Sequence, residues 1–139
     1  MRKKSLLAFA ILVFVTLTCR ADSVRESRTV TKYEAEALVR AALPAKLKRL
    51  PQFGMEISQD ENNHKFYLAF VYWAGEPQGS MTVGNYDVDT ETGDVWNAVS
   101  SCDEMDTHAL RKLQKTIRRK IGLSDTEYKR VKNKGPLCE

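Results

Sequence analysis

Lys65-Phe-Tyr-Leu-Ala-Phe-Val-Tyr-Trp73 decides the reading of this chain, and Tyr86-Asp-Val-Asp-Thr-Glu-Thr-Gly-Asp-Val-Trp96 completes it. In the first stretch Phe66, Leu68, Phe70 and Tyr72 alternate with Tyr67, Ala69, Val71 and Trp73, so a strand here is apolar on both faces and belongs in the middle of a sheet. The bulkier set, Phe66, Leu68 and Phe70, is expected beneath helices. Tyr67, Ala69, Val71 and Trp73 are then left open, unless the sheet curls and buries both faces. In the second stretch Tyr86 and Val88 precede a polar Thr90–Gly93 turn, and Val95, Trp96, Ala98 and Val99 follow it. That order predicts a hairpin in which Gly93 supplies a positive φ.

Working outward, Phe53, Met55 and Ile57 recur at period two after Pro51, a half-buried first strand that turns at Asp60–Asn63 into the central one. Gly75-Glu-Pro-Gln-Gly79 reads as the next loop. Met81 and Val83 then open a third strand in which Gly84 implies a bulge, and a fourth runs from Asp94 to Ser100. Upstream, Thr31-Lys-Tyr-Glu34 forms a capping box that starts a helix through Ala35, Ala37, Leu38, Ala41 and Ala42, and Pro44 ends it. Ala45–Leu50 reads as a second short turn. Downstream, Met105, Ala109, Leu113, Ile117 and Ile121 recur every four residues among Arg and Lys, which predicts an amphipathic basic helix stopped by Gly122. Ser124-Asp-Thr-Glu127 is a second capping box, opening a short helix toward Val131. The expected fold is α+β: a four-stranded antiparallel sheet with an N-terminal helix across it and one long plus one short C-terminal helix.

The N-terminus sets the compartment. Arg2, Lys3 and Lys4 precede an apolar run from Leu6 to Val15 and a small-residue end at Cys19-Arg-Ala21, the order of a secretory signal. The run is too short for a stable span of about 30 Å of hydrocarbon. The expected organisation is a signal peptide at 1–21, a flexible leader at 22–29 and a single α+β domain at 30–139. Cleavage after Ala21 competes with a second reading, in which Cys19 becomes a lipidated first residue as in bacterial lipoproteins. Thr16 and Thr18 stand where the lipoprotein pattern has aliphatic and small residues. The protein is therefore expected in the periplasm or secreted, and on the outer membrane if Cys19 is lipidated. After processing, Cys102 and Cys138 remain, and two thiols in an oxidising compartment point to one disulfide.

Removing the signal also changes the charge. The 22 Lys and Arg include Arg2, Lys3, Lys4 and Arg20, so residues 22–139 carry as many bases as their 18 acids. Nucleic-acid binding loses its main support, since it needs a net basic footprint. The charges are nevertheless segregated: residues 52–103 hold nine acids against Lys65 alone, while 104–134 hold ten bases against four acids. Two oppositely charged surfaces are suited to a protein partner.

Catalytic and metal chemistry find little footing. Asp87-Val-Asp-Thr-Glu91 begins like an EF-hand loop, but Thr92 and Ala98 stand where that loop needs Gly and Glu. Two Cys and the scattered His64 and His108 lack ligand spacing. No Ser, His or Cys stands in a nucleophilic pattern. The expectation is no metal, no cofactor, no catalytic residue and no enzyme. Candidate partner-contact residues are Tyr67 and Trp73, which join apolar bodies to polar tips, and the basic stripe Arg111, Lys115, Arg118 and Arg119.

The order helix, four strands, helix, with Val88-Asp-Thr-Glu-Thr-Gly-Asp-Val-Trp96 as its last hairpin, resembles two groups of small exported or interbacterial proteins. One is the PepSY-like modules, with their Val-Asp-x-x-Thr-Gly-x-Val hairpin. The other is the immunity proteins of cystatin-like or nuclear-transport-factor-like fold. The second resemblance implies an inhibitor that neutralises an antibacterial toxin or an envelope-degrading enzyme. The first implies a ligand-binding or envelope-maintenance module, and an undetected hydrolase is the third reading.

Overall fold

The structure, a computed structural model, describes residues 29–59, 64–76, 79–99, 102–132 and 135–136. The signal peptide, Cys19, the leader up to residue 28, the Asp60–Asn63 turn and Cys138 lie outside the described residues.

Among the described residues five strands pair antiparallel in chain order: β1 (Phe53–Gln59), β2 (Phe66–Glu76), β3 (Gly79–Asp89), β4 (Val95–Asn97) and β5 (Asp103–Glu104). The sheet thus has one strand more than expected. β5 escapes a sequence reading because two polar residues carry no period. Glu76 pairs with Gly79, so the expected loop shrinks, and Gly75 and Glu76 continue the strand instead. The register slips where Val71 pairs Gly84 and Tyr72 pairs Thr82, which leaves Val83 as the extra residue of a bulge beside Gly84. In the β3–β4 turn the Asp89 carboxylate accepts from the Glu91 and Thr92 N–H groups at 2.8 and 2.9 Å, and Gly93 takes φ 71°. β4 is shorter than its expected span, ending at Asn97.

The helices begin where the caps dictate. α1 (Lys32–Ala42) has the full Thr31/Glu34 capping box, and α4 (Asp125–Val131) has the Ser124/Glu127 box. A four-residue α2 (Ala45–Lys48) follows Pro44. α3 (His108–Ile121) is capped by the Thr107 hydroxyl and stopped by Gly122 at φ 78°. Met105, expected in its first turn, therefore precedes it.

α1 lies across one face of the sheet, and Ala35, Leu38, Val39 and Ala42 pack with Ile57, Ala69, Val71, Tyr86, Val88 and Val95. α3 runs antiparallel beside α1, adding Leu110 and Ile117. The Thr107 hydroxyl donates to the Ala41 carbonyl at one end (2.9 Å), and the Lys120 ammonium meets Glu34 at the other (2.6 Å). Each of the larger buried side chains contributes about 1.5–3 kcal/mol by leaving water.

The covered face of β2 is the opposite of the expected one. Tyr67, Ala69 and Val71 belong to the core, while Leu68 and Phe70 are exposed. Close packing accounts for the choice: a helix presenting Ala35 and Ala42 settles closely on Ala69 and Val71, which Leu68 and Phe70 would hold off.

Candidate protein-contact face

The register builds the outer face of the sheet from alternate positions of three strands. Glu56 sits opposite Phe70 and Ser58 opposite Leu68 on β1, and Asn85 sits opposite Phe70 and Asp87 opposite Leu68 on β3. Leu68 and Phe70 are 42 % and 37 % exposed. The Phe70 and Tyr72 rings stack with centroids 5.7 Å apart, and Tyr72 lies over Gly54, where a Cβ would strike its ring. Toward β4 the face closes: Phe66 and Trp96 are buried, and Gly135, at φ 116°, lies close over the Trp96 ring, where a Cβ would be tight. What stays open is an aromatic and aliphatic ridge along β2 with a carboxylate on either side.

Asp87 is the unusual member. Its cross-strand neighbours are Leu68 and Trp96, it is half-buried, and no side chain or backbone group among the described residues pairs with it. Burial alone pushes its carboxyl above the ordinary range.

Asp94 and Arg118, by contrast, are consumed internally. Asp94, 1 % exposed, accepts from the Arg118 guanidinium at 2.6 Å, the Thr92 hydroxyl at 2.9 Å and the Tyr128 hydroxyl at 3.0 Å. Arg118 also donates to the Thr92 carbonyl at 2.8 Å and stacks on the Tyr128 ring at 3.6 Å. Gln114, one turn earlier, donates to the Gly93 carbonyl at 3.0 Å. α3 and α4 thus clasp the β3–β4 turn. Burial pushes the Asp94 carboxyl up while the Arg118 charge and the two hydroxyls draw it back, and it remains above its usual value. Burial, with Asp94 beside it, raises the Tyr128 hydroxyl likewise.

These placements revise the sequence candidates. Tyr67 packs against the core and Trp73 follows on the same side by alternation; the Trp73 indole folds against Gly75 with its N–H buried and lacking an acceptor among the described residues. The Trp73 indole N–H is thus turned inward, while Tyr67 remains half-buried. Arg118 is only 16 % exposed in its side chain and serves the clasp, so a substitution there is not a surface change. Arg111, Lys115 and Arg119 do stand exposed on α3, Arg111 bridged to Asp106 at 3.1 Å. Lys115 and Arg119 border a cleft of about 340 Å³ with Leu123 and Asp125. The sequence reading missed Leu68, Phe70 and Asp87. The alternation of Gly54, Glu56 and Ser58 against Phe53, Met55 and Ile57 would have marked their face as the wet one.

Cys102 is disulfide-bonded and its sulfur lies 3.7 Å from the Pro136 carbonyl oxygen. Its expected partner Cys138 is outside the described residues. His64, exposed at a turn, is bound through its carbonyl by Gln59 (2.7 Å) and Thr90 (3.2 Å), and His108 opens α3 in solvent. Among the described residues no three His, Cys, Asp or Glu group as metal ligands, and no helix is long and apolar enough to cross a membrane.

The architecture is an α+β domain with an antiparallel meander covered by helices on one face and open, apolar and acidic on the other. No protein-family model matches the chain, and no curated protein sequence matches it. Among solved structures it is similar to a chain from the structure of a type VI secretion system effector-immunity complex from Pseudomonas protegens. The two share 26 % identity and a TM-score of 0.59, over 73 % of this chain and 85 % of that one.

Proposed function

We propose that this chain is an immunity protein, an exported binding protein that neutralises an antibacterial toxin by protein contact rather than by catalysis. The observation that carries the reading is the likeness to a chain of an effector-immunity complex over most of both chains. Of the two roles in such a complex, neutralisation suits this molecule better. Its buried carboxylate, arginine and tyrosine are spent on the Asp94–Arg118–Tyr128 clasp, and its accessible face is an aromatic and aliphatic ridge, the composition of a binding surface rather than a reacting one. The basic, then apolar, then small-residue order of residues 1–21 supports action in the periplasm, with Cys19 as anchor if lipidated.

The test is co-expression with candidate toxins drawn from the genes that flank its own. The chain should restore growth, leave growth unaffected when expressed alone, and leave the column with the toxin in fixed stoichiometry. Growth arrest by the chain alone would assign it the effector role and overturn the proposal.

A further inference from the structure

We propose that the open face of β1–β3 docks a toxin surface that brings an arginine or lysine side chain onto Asp87, with apolar side chains covering Leu68 and Phe70. This rests on the immunity reading above and names the surface and the partner chemistry.

Asp87 supplies the first argument. A carboxylate set between Leu68 and Trp96 has lost part of its water and gained no partner among the described residues in return. The neighbouring outward position on β3 is filled by neutral Asn85. Burial accordingly disfavours its ionised form in the free protein. A charge that costs the free chain stability becomes intelligible when a cation arrives with the partner.

Charge complementarity supplies the second. Glu56 flanks Phe70 from β1 as Asp87 flanks Leu68 from β3, and no basic residue occupies an outward strand position of this face. Lys65, the single base of residues 52–103, precedes β2 and sits by the Phe66 ring at 5.7 Å. The exposed bases of α3 are on the other side of the sheet, since α3 packs against α1. Among the described residues no basic side chain pairs with Asp87, and an apolar centre with a flanking carboxylate on each side suits a protein surface with a basic side chain among apolar ones.

The probe is the toxin whose neutralisation the co-expression assay establishes, titrated calorimetrically against the intact chain and its variants. Asp87→Asn should weaken binding roughly 30-fold or more and flatten its salt dependence, while the melting temperature of the free variant stays level or rises. Phe70→Glu should weaken it roughly 100-fold or more, and the pair Lys115→Glu/Arg119→Glu by less than about threefold. Binding by Asp87→Asn within about threefold of the unaltered chain would overturn the inference while the immunity reading stands. So would a loss confined to the α3 pair. A concentration-dependent dimer of the free chain that Phe70→Glu abolishes would give the face to a second copy, and would overturn it too. A chain that neutralises nothing removes the immunity reading itself, and the inference with it.

Discussion

Replacing Arg118 by Met tests the clasp on which the β3–β4 turn depends. Methionine keeps much of the apolar stem and deletes the guanidinium, so the perturbation falls on Asp94, the Thr92 carbonyl and the stack on Tyr128. Breaking a buried ion pair from one side costs about 3–5 kcal/mol, because the remaining charge is stranded. Asp94 keeps the Thr92 and Tyr128 hydroxyls at 2.9 and 3.0 Å, which places the expected loss near the lower figure, about 3 kcal/mol. At roughly 4–6 °C per kcal/mol for a domain of this size, the melting temperature should fall by about 12–18 °C. The loss should also depend on pH. Burial already raises the native Asp94 carboxyl, and without Arg118 it rises further. A raised native pKa means stability that is present below the unfolded value and lost as pH rises through the native one. The variant should therefore approach the unaltered protein near pH 4 and diverge from it toward pH 7. Asp94→Asn in the Arg118→Met background should recover part of the loss. Thermal unfolding followed by circular dichroism at both pH values measures all three. A loss below about 1 kcal/mol, or one equal at pH 4 and pH 7, would show that the stranded charge is not what destabilises the variant.

Three further outcomes follow from the same structure. Leu38→Ala empties a fully buried position between α1 and the Gly93 turn and should cost about 2–5 kcal/mol by denaturant unfolding. Burial pushes the Glu34 carboxyl up, but the Lys120 ammonium and the Thr31 N–H and hydroxyl outweigh it and hold it below its ordinary value. Its stabilisation is thus complete above the ordinary carboxylate range and lost as pH falls through the native value, and Glu34→Gln should flatten the acid limb between about pH 5 and pH 3, by no more than about 1 kcal/mol given the exposure of Lys120. Cys102→Ser should lower stability by about 2–4 kcal/mol if the bond runs to Cys138; intact-mass analysis before and after reduction checks the bond, and a peptide map assigns the partner.

Local chemistry was legible in the sequence. Thr31 with Glu34, Ser124 with Glu127, and Gly93 and Gly122 each specify a cap or a turn within a few residues, and each stands where it was expected. The side of β2 that turns inward was not legible from β2 itself. Both of its faces are apolar, so the choice is made by its neighbours, through a register that pairs Ala69 with Ile57 and Tyr86. Side-chain bulk misled the reading, because a helix lined with alanines approaches the smaller face most closely. Arg118 reads as part of an exposed basic stripe because it lies among Lys115, Arg119 and Lys120. Its position one turn after Gln114 and next to Ile117 puts it at the edge of the buried face, a signal available in the period of the helix. The salt link from that edge to Asp94 joins residues 24 apart, and no short-range pattern announces it.

The most direct test of the central claim is neutralisation itself, measured as growth of cells exporting the toxin that the co-expression assay identifies together with either the unaltered chain or its Phe70→Glu variant at equal abundance. Growth restored by the unaltered chain and withheld by the variant, with the variant's melting temperature intact, is the predicted result. Equal rescue by both would contradict the assignment of the open face.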